Sequence, residues 1–143
     1  DILITIACAF AISKAMVNSG VADAVARFII GMSHHYGPHV LLAAVFIITN
    51  LFTELITNNA AAALAFPLAL SISSQMGVSP MPFFVVICMA ASASFSTPIG
   101  YQTNLIVQGI GNYKFTDFVR IGLPLNIITF LISIFLIPLI WPF

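Results

Sequence analysis

Long apolar runs dominate this chain, and the polar residues that interrupt them divide it into segments. Residues 2–16 form the first run, broken only by Ser13 and Lys14, and Asn18-Ser19-Gly20 reads as a helix stop. This predicts a transmembrane helix over 1–18, slightly short of the ~20 residues a straight span needs. Residues 21–32 differ. Asp23 and Arg27 stand four apart, while Val21, Val25, Phe28, Ile29 and Met32 share an apolar face. That is an amphipathic helix suited to the membrane interface, within 19–37. Residues 33–38 are a turn.

Residues 40–56 predict a helix, Thr57-Asn58-Asn59 a break, and 60–74 a second helix kinked near Pro67. Each arm is short for a full crossing, so 38–77 predicts a re-entrant hairpin. Residues 83–95 form another apolar helix, rich in small residues at its end. Ser96-Thr97-Pro98-Ile99-Gly100-Tyr101-Gln102-Thr103-Asn104 must then interrupt it. Pro98 excludes Thr97 from the helical region and Gly100 allows dihedrals closed to other residues. Residues 80–111 are thus read as a broken helix. Residues 112–121, with Lys114, Asp117 and Arg120, read as interfacial, and 122–143 as the last transmembrane helix. The two basic residues before it favour a cytoplasmic start.

Composition turns this pattern into a class. The chain is 61% hydrophobic and 6% charged, with a mean hydropathy of +1.14, where a soluble domain carries about 25% charged residues. An all-α integral membrane protein follows. Net charge is zero, from four basic and four acidic residues, which leaves no surface for nucleic acid. Cys8 and Cys88 lie in apolar runs and read as packing residues. No cleavable signal peptide is recognisable. The opening on Asp1 and the ending directly after a hydrophobic span suggest part of a longer protein.

The two breaks carry the candidate chemistry. Thr49, Asn50, Thr53, Glu54, Thr57 and Asn58 fall at i, i+3 and i+4 spacings and share a helix face. Polar side chains at membrane depth must face protein, water or a ligand, and unwound backbone is tolerated only in a cavity or buried in protein. The helices ending near Ile56 and Phe95 would present carbonyls, which with Thr, Ser and Asn oxygens suit a hard cation such as sodium. Those starting near Ala60 and Leu105 would present N–H groups suited to an anion. No Lys or Arg lies near either break in sequence, so an anion would be held by dipoles and a co-bound cation: cation-coupled anion uptake.

Plainer readings stand beside this one. Asn58 and Asn59 are good N-caps, Thr97-Pro98 could be an ordinary kink, and Glu54 could be a structural carboxylate bonded to hairpin backbone rather than a proton carrier. His34, His35 and His39 read as a wet interfacial turn, since no carboxylate or cysteine completes a metal set. Ser92, Ser94 and Ser96 have no nearby base, which excludes an intramembrane enzyme. Gly109-Ile110-Gly111 lacks the strand and spacing of a nucleotide loop.

Thr53-Glu54, Thr57-Asn58-Asn59-Ala60-Ala61, Pro67, and Ser96-Thr97-Pro98 ending in Asn104 resemble, in order and spacing, the C-terminal repeat of the divalent anion/sodium symporters, the citrate-transporter-like superfamily. The resemblance covers nearly the whole chain. It implies one inverted-repeat half of an ion-transporter fold, with a re-entrant hairpin and a broken helix. It implies a sodium site from Thr53, Thr57, Asn58 and the backbone around Ile56 and Ser96. It implies a substrate site from Asn58, Asn59, Thr97, Pro98 and Asn104. Sodium would be the coupling ion, with no other cofactor. Partners would be membrane lipid, a small anion, the missing N-terminal repeat and a second copy in a homodimer. The chain alone should not transport. The family works by an elevator-like motion, and residues 21–32 would be an arm.

The tip reads Thr57-Asn58-Asn59 where the family pattern is Ser-Asn-Thr, and the stretch from Thr97-Pro98 to Asn104 is longer than the common Thr-Pro-Pro-Asn form. An amide at Asn59 can donate two hydrogen bonds to an oxyanion. This variant is similar to bacterial sulfate or general anion permeases, so sulfate is favoured over a C4-dicarboxylate or citrate, in a bacterial inner membrane. The alternative is a proton-coupled antiporter or channel using Glu54.

Overall fold

The computed structural model describes residues 2–32 and 37–143, which are mostly helical with no strand among them. The helices are α1 (Ile2–Asn18), α2 (Val21–Met32), α3 (Gly37–Leu55), α4 (Asn58–Met76), α5 (Met81–Ser92), α6 (Gln102–Gly111) and α7 (Phe115–Ile140). The stop read at Asn18-Ser19-Gly20 works where expected, and a second glycine closes α4. Gly20 takes φ +73° after α1, and Gly77 takes φ +66° after α4 with its N–H on the Ser73 carbonyl. Only a residue without Cβ enters this left-handed region at no cost.

α4 is the hub. It packs against α1, α2, α3 and α5, and small residues let it do so: Ala61, Ala65 and Ala69 are completely buried. The core gathers Leu41, Leu42, Val45 and Phe46 of α3, Leu68 and Ile72 of α4, and Phe83, Val86 and Ile87 of α5. α7 lies across α3 and α5, with Phe130 edge-on to Phe46 at 5.3 Å. α6 packs closely against none of the other described helices and buries no residue.

The amphipathic reading of α2 needs correcting in one respect. Its packing face is Ala22, Ala26 and Ile29, while Val21, Val25 and Phe28 point outward, Phe28 at 68% exposure. In a membrane, large apolar side chains are no better off against protein than against lipid, so small residues take the helix contact. Asp23 does not pair with Arg27. It accepts a hydrogen bond from Ser71 on α4, whose hydroxyl also accepts one from Gln75.

The predicted join near 122 is absent: α7 is one helix through Pro124 and Pro138. Its N-terminus is held by Asp117, which accepts from the Lys114 backbone N–H at 2.9 Å. Along it Leu139, Phe135 and Ile121 are 78%, 68% and 67% exposed, an outer surface for lipid rather than water. α3 and α7 are each long and apolar enough to cross a membrane. The predicted turn at 33–38 lies mostly outside the described residues, His34 and His35 included. His39 packs edge-on against Phe143 at 5.0 Å, and the described residues hold no group of metal ligands.

Candidate functional site

The first interruption is short. α3 ends at Leu55 and α4 begins at Asn58. Thr57 is the N-cap, in extended backbone, and its hydroxyl accepts from the Ala60 N–H at 3.4 Å. The capping role offered to Asn58 and Asn59 therefore falls one residue earlier, and both asparagines lie inside the helix. Thr53 Oγ1 stands 2.7 Å from the Ala91 carbonyl and 2.8 Å from the Asn58 side-chain oxygen. A hydroxyl has one proton. The backbone carbonyl can only accept, so it takes that proton. Turning the Asn58 amide by half a turn lets its NH2 donate to Thr53 and frees its oxygen.

The second interruption is longer than the first and lies earlier than expected, covering residues 93–101. Asn104 accordingly sits in the first turn of α6. Side chains from the two interruptions cap each other's helices. Asn50 of α3 donates to the Ala93 carbonyl at 2.7 Å, and Thr53 to that of Ala91. In return Ser94 Oγ donates to the Thr53 carbonyl at 3.1 Å, and Thr97 Oγ1 to that of Glu54 at 2.7 Å. Asn104 donates to the carbonyls of Ser94 and Thr97 at 3.2 and 3.3 Å. The carbonyls of Thr53 and Glu54, in the last turn of the helix whose end near Ile56 was read as presenting carbonyls to a cation, are thus already satisfied by hydroxyls.

Backbone proximity makes this exchange workable. A Cβ on Gly100 would lie 2.1 Å from the Thr53 carbonyl oxygen and 2.2 Å from Ser94 Oγ. Gly122 admits α7 in the same way, since a Cβ there would lie 2.0 Å from the Phe95 carbonyl oxygen. One turn beyond Gly122, Asn126 reaches the network. Its Nδ2 donates to Glu54 Oε1 at 2.7 Å and to Ser96 Oγ at 2.8 Å, and the Ser96 N–H donates to the same Oε1 at 2.9 Å. Glu54 is therefore bonded to the second break and to α7, not to its own hairpin. Asn126 went unnoticed in sequence. Its signal was a lone amide in the apolar stretch of α7, four residues after a glycine.

Of the residues predicted for a sodium site, Thr53 and Asn58 bond each other, Ser96 bonds Glu54 and Asn126, and the two groups meet through the chain neighbours Thr53 and Glu54, while Ile56 and Thr57 form the open turn beside them. Of those predicted for substrate, Thr97 and Asn104 are tied to backbone and Pro98 is fully buried. Asn59 faces elsewhere, into a cavity of about 300 Å3 with Ala9 and Phe10 of α1. A cavity of about 610 Å3 between α6 and α7 places Asn104 and Phe95 alongside Asp117 and Arg120. No basic residue is near either break in sequence, but Arg120 shares this cavity in space. Oxygen donors dominate the cluster and nitrogen or sulfur ligands are absent from it, which fits a hard cation.

A bundle of apolar helices, two of them interrupted and apposed through polar side chains, is the architecture of a membrane transport protein. Residues 1–142 match the citrate transporter family, and the chain belongs to it. It is 40% identical over 141 residues to an uncharacterized transporter of Synechocystis sp., covering 99% of this chain and 23% of that protein. It is 38% identical over 138 residues to a probable sodium/sulfate cotransporter 3 of Chlamydomonas reinhardtii, covering 96% and 15%. A sodium-dependent dicarboxylate transporter of Staphylococcus saprophyticus is 25% identical over 144 residues, covering 99% and 27%. The chain thus spans about a quarter or less of the length of these relatives. The family is one of integral membrane transporters, not enzymes.

Proposed function

We propose that this chain supplies one half of the translocation site of a sodium-coupled anion symporter, with sulfate as the favoured substrate and a di- or tricarboxylate as the next. The observation that carries the reading is the mutual capping of the two interrupted helices, which brings Thr53, Asn58, Ser96 and Thr97 into one polar cluster among apolar helices. α3 and α4 form a re-entrant hairpin whose tip is Thr57-Asn58-Asn59. Sodium is held by Thr53, Asn58 and Ser96, with backbone from Ile56 and the hydroxyl of Thr57. The outward oxygen of Asn58 is the ligand that its contact with Thr53 leaves available. The anion meets Asn58, Asn59, Thr97, Pro98 and Asn104. Since Pro98 is buried and Asn59 faces α1, substrate contact requires the hairpin to move relative to the second break.

A second inverted repeat and a second copy complete the transporter in a bacterial inner membrane. The names of relatives support both substrate classes: one is a probable sodium/sulfate cotransporter, another a sodium-dependent dicarboxylate transporter. The test is sodium-dependent uptake of labelled sulfate and succinate by the intact protein in liposomes, beside Asn58→Ala. Sodium-driven uptake of one anion, lost in Asn58→Ala, supports the reading and selects the substrate. Uptake that ignores sodium and follows a proton gradient overturns it in favour of a proton-coupled antiporter using Glu54.

A further inference from the structure

Three buried side-chain atoms among the described residues have no hydrogen-bond partner: Glu54 Oε2, Asn126 Oδ1 and Ser133 Oγ. The first two belong to one place. Their residues are each 8% exposed and are joined by the 2.7 Å bond from Asn126 Nδ2 to Glu54 Oε1. Each orphan oxygen shares its carbon with one end of that bond. Both are acceptors, one of them on a carboxylate. Ser96 and Asn126 already supply three N–H contacts to the cluster, and every one goes to Glu54 Oε1 or Ser96 Oγ. No further donor reaches the orphan pair.

A buried carboxylate that stays ionised needs a counter-charge, and one without it is among the costliest arrangements in a protein interior. The charged or titratable groups on the elements around Glu54 are His39 at the far end of α3, Cys88 on α5, Tyr101 in the second break, and Asp117 and Arg120 in the first turns of α7. None of them bonds to it. We infer that the counter-charge is a sodium ion held between Glu54 Oε2 and Asn126 Oδ1. This site lies on the α7 side of the second break, apart from the outward oxygen of Asn58 at the hairpin tip. Its two protein ligands are hard oxygens, one anionic, the combination that selects a hard cation over a soft one. The ion ties α3 to α7 and makes α7 part of the cation-binding structure.

The geometry supplies its own test, because the two side chains can exchange roles. Glu54→Gln removes the charge and keeps the shape. Adding Asn126→Asp returns a carboxylate to the same spot from the other side, with the amide introduced on α3 donating across the pair. The measurement is equilibrium binding of radiolabelled sodium to the intact protein in detergent, with melting curves in sodium and in choline. Wild type is expected to bind one sodium more than Glu54→Gln, and the double variant to recover it. Sodium is expected to raise the melting temperature of wild type and the double variant more than that of Glu54→Gln. An unchanged sodium count in Glu54→Gln overturns the inference, leaving a bound water as occupant. A loss that the double variant fails to restore overturns it too, assigning the effect to packing. Stabilisation that follows pH and not sodium overturns it in favour of a proton. Failure of the tip site reads out separately, as sodium-driven uptake that survives in Asn58→Ala.

Discussion

The two interruptions look alike in sequence and differ in structure. Each is a polar stretch with small neighbours set in an apolar run. The first leaves two residues outside the helices; Thr57 caps the start of α4 locally, on Ala60 three residues away, while the end of α3 is capped by Ser94 and Thr97 of the second break. The second leaves residues 93–101 non-helical and is braced from a distance, by Asn50, Thr53 and Glu54 about forty residues earlier and Asn126 thirty residues later. A helix break in an apolar setting has to satisfy the backbone groups it frees. A short break does so partly with its own residues, here Thr57. A long one recruits side chains from other helices, and in doing so fixes where those helices sit. The tip is therefore the adjustable partner and the second break the rigid one.

The comparison fails most visibly if the second break tolerates bulk. Gly100→Ala drives a methyl group into the Thr53 carbonyl and Ser94 hydroxyl, and is expected to cost about 3 kcal/mol or to abolish folding, read as loss of a monodisperse peak and a melting transition in detergent. Gly122→Ala, which meets the Phe95 backbone, should follow at about 2–3 kcal/mol by the same measurement. Gly109→Ala has open space at its Cβ and should leave the melting temperature unchanged or raise it. A Gly109→Ala as damaging as Gly100→Ala would place the rigidity elsewhere.

Asn126→Leu takes two hydrogen bonds from Glu54 and Ser96 and leaves a buried carboxylate underserved. A loss of about 2 kcal/mol is expected in chemical or thermal unfolding. Thr53→Val keeps shape but uncaps the Ala91 carbonyl and frees Asn58. It should cost about 1 kcal/mol and shift the sodium dependence of uptake to higher concentration. The smallest effect belongs to the tip. Thr57→Ala removes a long 3.4 Å cap and should cost about 0.5 kcal/mol in the same unfolding assay. A Thr57→Ala more destabilising than Thr53→Val would reverse the assignment of rigid and adjustable partners.

Much of this organisation is written along the chain. Composition alone demands a membrane, because 6% charge cannot cover a water-soluble surface. The stops at Gly20 and Gly77, the interruption at Thr57 and the one around Pro98 are legible because proline, glycine and capping residues act on the backbone within a few residues. The same locality explains what was misplaced. α7 continues through 122 because Gly122 serves a contact with Phe95, not a turn. α2 packs by its alanines because the choice between lipid and protein depends on what stands opposite.

Glu54 plainly needed a partner, since a carboxylate at membrane depth cannot stand alone. That the partners are Ser96 and Asn126 could emerge only when α3, the second break and α7 were brought together. Helices and their ends are settled by neighbours a few residues apart, whereas a polar network joins residues up to 72 positions apart. Its members carry no mark of one another until packing lets backbones approach at Gly100 and Gly122.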